Sequence, residues 1–223
     1  MGLNMRKPIG LLLAATTIAA FFVIVGAPSA AGAQTILDEW DTVKAPPPPT
    51  DKIKPVTLDP KKTALISMDF NSKNCTADKR VRCFNVLPRV QKLMAEARAK
   101  GMLVVHTLTS SMQPEDLVKA VGPAPGEQVL RGRGDKFSGN DLEKTLKDKG
   151  IDTVLLVGTS ANSAVLYTAL GAVQRGFKPI VPIDTMPAET AYQEQFSVWQ
   201  IANGSQLNDN ATLTRSDLVK FGG

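Results

Sequence analysis

The stretch Thr153-Val154-Leu155-Leu156-Val157-Gly158-Thr159-Ser160-Ala161-Asn162-Ser163-Ala164 decides the reading of this chain. Five residues suited to a buried strand run into a glycine, and a polar turn follows. Apolar residues then recur at helical spacing from about Asn162 to Arg175, and Gly176 closes the helix. An uninterrupted apolar strand passing directly into a helix is the unit of a parallel sheet buried on both faces.

The same alternation extends in both directions. Thr63 to Met68 reads as a buried strand that ends at the carboxylate of Asp69. Phe84 to Lys100 has apolar residues at helical spacing (Val86, Val90, Leu93, Met94, Ala97), and Gly101 ends that helix. Met102 to Thr107 is the next strand, with His106 near its end. A short helix is expected near Glu115 to Val121, and a short strand at Gln128 to Leu130. Asn140 is placed to cap a helix through Lys147, with Glu143 as capping-box partner. Phe177 to Ile183 is a strand, Ala191 to Ala202 a helix, and Ala211 to Leu213 a terminal strand. Repeated β-α units of this kind predict an α/β fold, a three-layer α/β/α sandwich around a mostly parallel sheet.

Ahead of this pattern lie two other segments. Residues 1–33 begin with Arg6 and Lys7, continue through an apolar run to Val25, and end in Ala31-Gly32-Ala33. This is the form of a secretory signal peptide. An uncleaved membrane anchor is the alternative, since the run approaches a bilayer-spanning length. Cleavage leaves 190 of the 223 residues and lowers the formal charge from +5 to +3. It implies a periplasmic or secreted protein with no stable membrane insertion. Residues 34–60 read as a proline-rich arm, with Pro46 to Pro49 favouring polyproline II. Residues 61–223 form the folded domain.

Composition excludes several functions. The basic residues are scattered and aromatics make up only 5% of the chain, so no nucleic-acid surface is expected. The glycine spacing fits neither a dinucleotide fingerprint nor a P-loop. One histidine and two cysteines make a zinc site unexpected. No cofactor or metal is therefore anticipated. Cys75 and Cys83 flank a polar segment. Export permits a disulfide between them, the favoured reading, with two free thiols or a stray pair of metal ligands as the alternatives.

In an open parallel sheet, ligands bind beyond the carboxyl ends of the strands. Asp69, Arg131, the turn Gly158 to Ala164, and Asp184 are expected to meet there. A carboxylate at the end of an apolar strand is poorly solvated, which suits it to proton transfer; a structural aspartate accepting backbone N–H groups is the other reading. Thr159, Ser160, Asn162 and Ser163 bring hydroxyl and amide groups to a helix start that can receive an anion, or can simply be capped. Arg131 and Arg133, in a loop with Gly132 and Gly134, can clamp a carboxylate or form a solvated connection. His106 is a weaker candidate for the same site.

These motifs resemble the isochorismatase-like (cysteine hydrolase) superfamily. The resemblance rests on Ala64 to Phe70, on Pro125 to Arg131 with Phe137 to Leu142, and on Val157 to Ala169, continuing from Gly176 through Asp184. It covers about Lys62 to Leu213. It implies that Asp69 is catalytic, that Arg131 stands at the place of the family lysine, and that Thr159-Ser160 is a cis peptide shaping the oxyanion site. It also implies that Ala164 stands where amidase members carry their nucleophilic cysteine, and a methyl group cannot attack a carbonyl. Ser163 is no substitute, since one helical step turns its side chain by about 100°. Two functions follow. One is an exported hydrolase of a small carboxylated molecule, using Asp69 for acid-base chemistry without a thiol. The alternative is an inactive member that binds a small molecule. An engineered exchange of a native cysteine at position 164 is a third reading. Association into a homo-oligomer stays open, because periodicity does not separate a core face from a subunit face.

Overall fold

The computed structural model describes residues 35–222. The expected leader, residues 1–33, lies outside the described residues. The chain divides between Ala45 and Pro46 into two units. The described part of the first carries a four-residue helix, α1 (Ile36–Glu39), closed by a reciprocal Thr35–Asp38 capping box. In the second unit β1 (Val56–Leu58) pairs in parallel with β8 (Val219–Phe221). The last part of the expected arm therefore belongs to the fold. Neither three-residue strand is long enough to leave a pattern in the sequence.

The main sheet has six parallel strands: β2 (Thr63–Met68), β3 (Leu103–Leu108), β4 (Gln128–Arg131), β5 (Thr153–Gly158), β6 (Lys178–Pro182) and β7 (Thr212–Thr214). Their order is β4-β3-β2-β5-β6-β7. The chain starts in the middle with β2, builds outward through β3 and β4, then returns to build the other half from β5. The strand order thus reverses between β2 and β5, where a parallel sheet opens a crevice at its carboxyl edge.

All six residues of β2 are buried, because both faces of the sheet are covered. Ala64, Ile66 and Met68 face one core with Val154 and Leu156, under α3 (Leu142–Asp148), α4 (Leu166–Gln174) and α5 (Ala191–Asn203). Leu65 faces the other with Leu155 and Val157, under α2 (Val81–Ala99). The strand period of two divides adjacent residues between the layers, giving the three-layer α/β/α sandwich.

Some boundaries differ from expectation. Helix α2 begins three residues before Phe84 and holds Pro88. The expected helix near Glu115 is two short 3₁₀ turns, Pro114–Asp116 and Lys119–Val121. The helix expected from Asn162 begins as a π turn, Ala161–Val165, before α4. Asn140 does accept from Leu142 N at 2.9 Å, but Glu143 makes no box with it. Instead Glu143 pairs with Lys147 at 2.5 Å and Arg175 at 3.2 Å. Cys75 and Cys83 form a disulfide. Among the described residues no helix is long and apolar enough to cross a membrane.

Candidate active site

Asp69 leaves the end of β2 in the left-handed region, with φ 56°. Aspartate tolerates this conformation better than most residues. Its N–H donates to Thr107 O at 3.1 Å, which anchors the exit to β3. The carboxylate is only 10% exposed, and Lys136 Nζ lies 2.9 Å from Oδ1 and 2.7 Å from Oδ2. Lys136 is 1% exposed. Burial raises the pKa of Asp69 above the ordinary aspartate value, and the neighbouring Lys136 charge opposes that rise.

Lys136 reaches this position because the loop after β4 is tied down on α4. Lys136 N donates to Thr168 Oγ1 at 3.0 Å. Asp135 accepts from Phe137 N at 3.0 Å and pairs with Arg175 at 3.2 Å. Arg175 also lies over the Phe137 ring, 4.9 Å from its centre. Two glycines permit the approach. A Cβ on Gly134 would lie 2.9 Å from the Tyr167 ring, and one on Gly171 would lie 2.5 Å from Asp135 Oδ1. Asn140 Nδ2 closes the loop by donating to Arg131 O at 2.7 Å and Lys136 O at 3.0 Å.

The third wall is the turn after β5. Gly158 has φ 153°, and a Cβ there would come within 2.5 Å of Met68 Cβ. Thr159 N donates to Met68 O at 3.0 Å, beside Asp69 in the chain. The Thr159–Ser160 peptide is cis. Ser160 Oγ lies 2.6 Å from Asn162 Oδ1 and donates to it. Ala161 N and Ser163 N are occupied by Pro187 O and Ser160 O, at 3.1 Å each. Those two N–H groups are therefore engaged inside the protein, not open to an anion. Ala164 is buried within the π turn. A groove of about 450 Å³ starts at Asn162 and runs between α4 and α5, past Tyr167, Leu170 and Phe196.

Of the expected site residues, the structure brings together Asp69 and the turn Gly158 to Ala164. Arg131 is a correction. Its guanidinium donates to Met112 O and, at 2.8 Å, to Gln113 Oε1, so the cation on Asp69 is Lys136, five residues further on. The cause is the path of the chain, which leaves β4 at Arg131 and folds back through Gly132 and Gly134. Arg133 is exposed and makes no hydrogen bond or ion pair among the described residues.

His106 is a second correction. It lies inside β3, which continues to Leu108, and in register with Ser67. Its side chain is fully buried, with Nε2 2.9 Å from Glu127 Oε2. Glu127 also takes two 2.8 Å bonds from Arg98 of α2. The imidazole is thus part of a structural network and is not open to a ligand. Burial pushes its pKa below the usual histidine value, against the pull of Glu127. Asp184 is likewise committed, accepting from Ser216 N at 2.8 Å and Ser216 Oγ at 2.6 Å.

Arg80 is a residue that sequence reasoning missed. Its Nη2 donates to Thr159 Oγ1 at 2.8 Å, which brings a cation to the turn. Its position inside the Cys75–Cys83 loop was the available signal. Among the described residues no three His, Cys, Asp or Glu side chains gather as metal ligands.

The model of the Isochorismatase domain family matches residues 63–215, which span all six strands of the main sheet, Asp69, Lys136 and the turn after β5. This chain belongs to that family. Among curated relatives, N-carbamoylsarcosine amidase of Arthrobacter sp is 29% identical over 146 residues, covering 53% of this chain and 55% of that protein. The chain thus spans little more than half the length of that relative. Maleamate amidohydrolase of Pseudomonas putida is 30% identical over 149 residues, covering 54% of this chain and 70% of that one. In the same fold, an isochorismatase-like hydrolase from Alkaliphilus metalliredigens superposes with a TM-score of 0.62 at 21% identity, covering 70% of this chain and 95% of that structure. The two curated relatives are named as an amidase and an amidohydrolase.

Proposed function

We propose that this isochorismatase-family chain is an exported hydrolase of a small carboxylated molecule, in which Asp69 moves the proton and water takes the place of a thiol nucleophile. The observation that carries this reading is the buried Asp69–Lys136 pair, set at the switch point beside a turn whose residue 164 is a methyl group. On this reading Ala164 occupies the place of the cysteine in the amidase members.

The residues suit hydrolysis of an enol ether. Protonated Asp69 gives its proton to the carbon of the C=C bond, whose π electrons form the new C–H bond. The cation left behind is stabilised by the ether oxygen. Water adds to it and returns a proton to Asp69, and the hemiketal collapses to an alcohol and a carbonyl compound. Burial favours the protonated carboxyl at the start. Lys136 compensates the carboxylate once the proton has gone. No step requires a side chain on residue 164.

The buried methyl of Ala164 favours a second reading, a small-molecule-binding protein without turnover. The two are separated by assaying the chain from Gln34 against enol ethers and amides, maleamate and N-carbamoylsarcosine among them, beside Asp69→Asn and Ala164→Cys. Turnover in the parent that falls by about 10²–10⁴-fold in Asp69→Asn fits proton transfer at that carboxylate. Turnover unaffected by Asp69→Asn refutes the mechanism. A silent parent with an active Ala164→Cys variant supports the binding reading.

A further inference from the structure

Arg80 takes no part in the chemistry just proposed, yet it is built into the turn as firmly as Lys136 is built into its loop. Its backbone is held on both sides, with Arg80 N donating to Thr76 O at 3.2 Å and Arg80 O accepting from Phe84 N at 3.0 Å. The Cys75–Cys83 disulfide closes the loop around it. The side chain is 18% exposed and reaches Thr159 Oγ1 through Nη2. Thr159 in turn donates its N–H to Met68 O, next to Asp69.

The remaining donors of this guanidinium are poorly used. Nε lies 2.7 Å from Glu189 Oε1, but its N–H does not point at that oxygen, and Nε is buried with no directed hydrogen bond. A guanidinium has five N–H donors in a planar fork matched to a carboxylate. Among the described residues only Nη2 makes a well-directed bond. Glu189 is 59% exposed, while its backbone is pinned by a 3.0 Å bond from its N–H to Gln193 Oε1. Its carboxylate can therefore swing into solvent without disturbing α5.

We propose that Arg80 is the anion anchor of this site and takes a ligand carboxylate where the Glu189 carboxylate sits in the free chain. The inference rests on the reading that the Asp69 turn is the small-molecule site, and it names the group that selects carboxylated ligands there. The incoming carboxylate gains the two-pronged geometry that Glu189 does not achieve. Glu189 competes with the ligand and keeps the cation paired when no ligand is bound. Arg80 acts through binding and positioning, since it touches no group that Asp69 protonates.

The test is calorimetric titration of the disulfide-intact chain with succinamate, which carries one carboxylate, and with succinamide, its neutral counterpart. Parent, Arg80→Gln, Arg80→Lys and Glu189→Gln are compared. Succinamate affinity is expected to fall at least about tenfold in Arg80→Gln, the scale of a lost charge-assisted hydrogen bond. Arg80→Lys recovers part of it, because the charge returns without the fork. Glu189→Gln is expected to tighten succinamate by about 1.5–5-fold, as an exposed ion pair is removed. It leaves succinamide unchanged. Equal succinamate affinity in parent and Arg80→Gln overturns the proposal, and so does weaker binding in Glu189→Gln. A parent that binds neither succinamate nor acetate, butyrate or benzoate at millimolar concentration also overturns it. Because binding is the readout, Arg80-dependent affinity without turnover upholds the anchor while the hydrolase reading fails. Amide or enol-ether turnover indifferent to Arg80 does the reverse.

Discussion

Lys136→Met tests whether the Asp69–Lys136 pair is as desolvated as the geometry indicates. The substitution keeps an unbranched chain of similar length in a position that is 1% exposed, so lost packing contributes little. What it leaves is a carboxylate, 10% exposed, that has lost the cation at 2.7 and 2.9 Å from its two oxygens. Breaking a buried pair from one side costs about 3–5 kcal/mol, because the remaining charge is stranded in low dielectric. Urea unfolding at pH 7, with the disulfide intact, measures that loss. Asp69→Asn supplies the other edge of the cycle, and Asn suits this position because it tolerates φ 56°. The double variant Asp69→Asn with Lys136→Met should recover at least about 1 kcal/mol over the sum of the single losses.

The pH dependence gives this prediction a sign. Without Lys136 the main influence lowering the Asp69 pKa is gone, and burial alone holds it up. The folded variant then binds a proton that the unfolded chain has released. Its stability falls as pH rises from the ordinary aspartate value of 3.8 through the raised folded pKa. The deficit against the parent should therefore be largest at pH 7 and shrink toward pH 4. A Lys136→Met variant within about 1 kcal/mol of the parent at pH 7 would refute the argument, since the pair would then be solvated and worth no more than a surface bridge.

Glu127→Gln should destabilise by about 2–4 kcal/mol, because it strips the charge partner from Arg98 and weakens the bond to buried His106. In the parent the Glu127 pKa is lowered to about 2, so its stabilisation is complete above the ordinary glutamate value of 4.5 and is lost as pH falls toward 2; acid unfolding of parent and variant should converge there. His106 has a depressed folded pKa, so its contribution is present above 6.5 and fades below it, and His106→Gln should flatten the stability profile on the acidic side of 6.5. Gly158→Ala should cost at least about 3 kcal/mol by thermal unfolding, as its Cβ would meet Met68 Cβ at 2.5 Å and Met68 O at 2.6 Å. Replacing Cys75 and Cys83 together by Ser should lower stability by about 2.5 kcal/mol, the loop-closure entropy for a sequence separation of 8.

The sheet was readable because its strands are buried on both faces. Runs such as Thr63 to Met68 and Thr153 to Val157 carry little else that would explain their composition. Asp69 was readable for the same reason, as the first charge after such a run. Lys136 was not. Strand-end logic points to Arg131, and only the three-dimensional return of the loop carries position 136 back to the sheet. Its local signal is Phe137, an apolar residue in a charged glycine loop, which is buried and stacks on Phe177 with 5.5 Å between ring centres. His106 was misplaced because β3 runs two residues past it. Alternation then puts it on the α2 face with Ser67. Arg80 was hidden in a polar stretch that reads as loop, although α2 begins at the next residue.

The local irregularities of this chain converge on one place. Asp69 occupies left-handed backbone, Gly158 and Gly171 fill positions a side chain cannot, and a lysine is buried. Each of these costs free energy, and an apolar pair of the same volume would hold β2 to the loop at least as well as an ion pair. Structural support is therefore a poor explanation for Asp69 and Lys136, whereas proton transfer requires a titratable group in a controlled environment. The methyl of Ala164 bears on a different step. It removes attack by residue 164 but leaves the Asp69 carboxyl, its Lys136 countercharge and the Arg80 guanidinium on Thr159 in position. In the mechanism proposed above, Asp69 protonates the substrate and water does the work of a nucleophile, and that division of labour is what separates it from a thiol-dependent amidase.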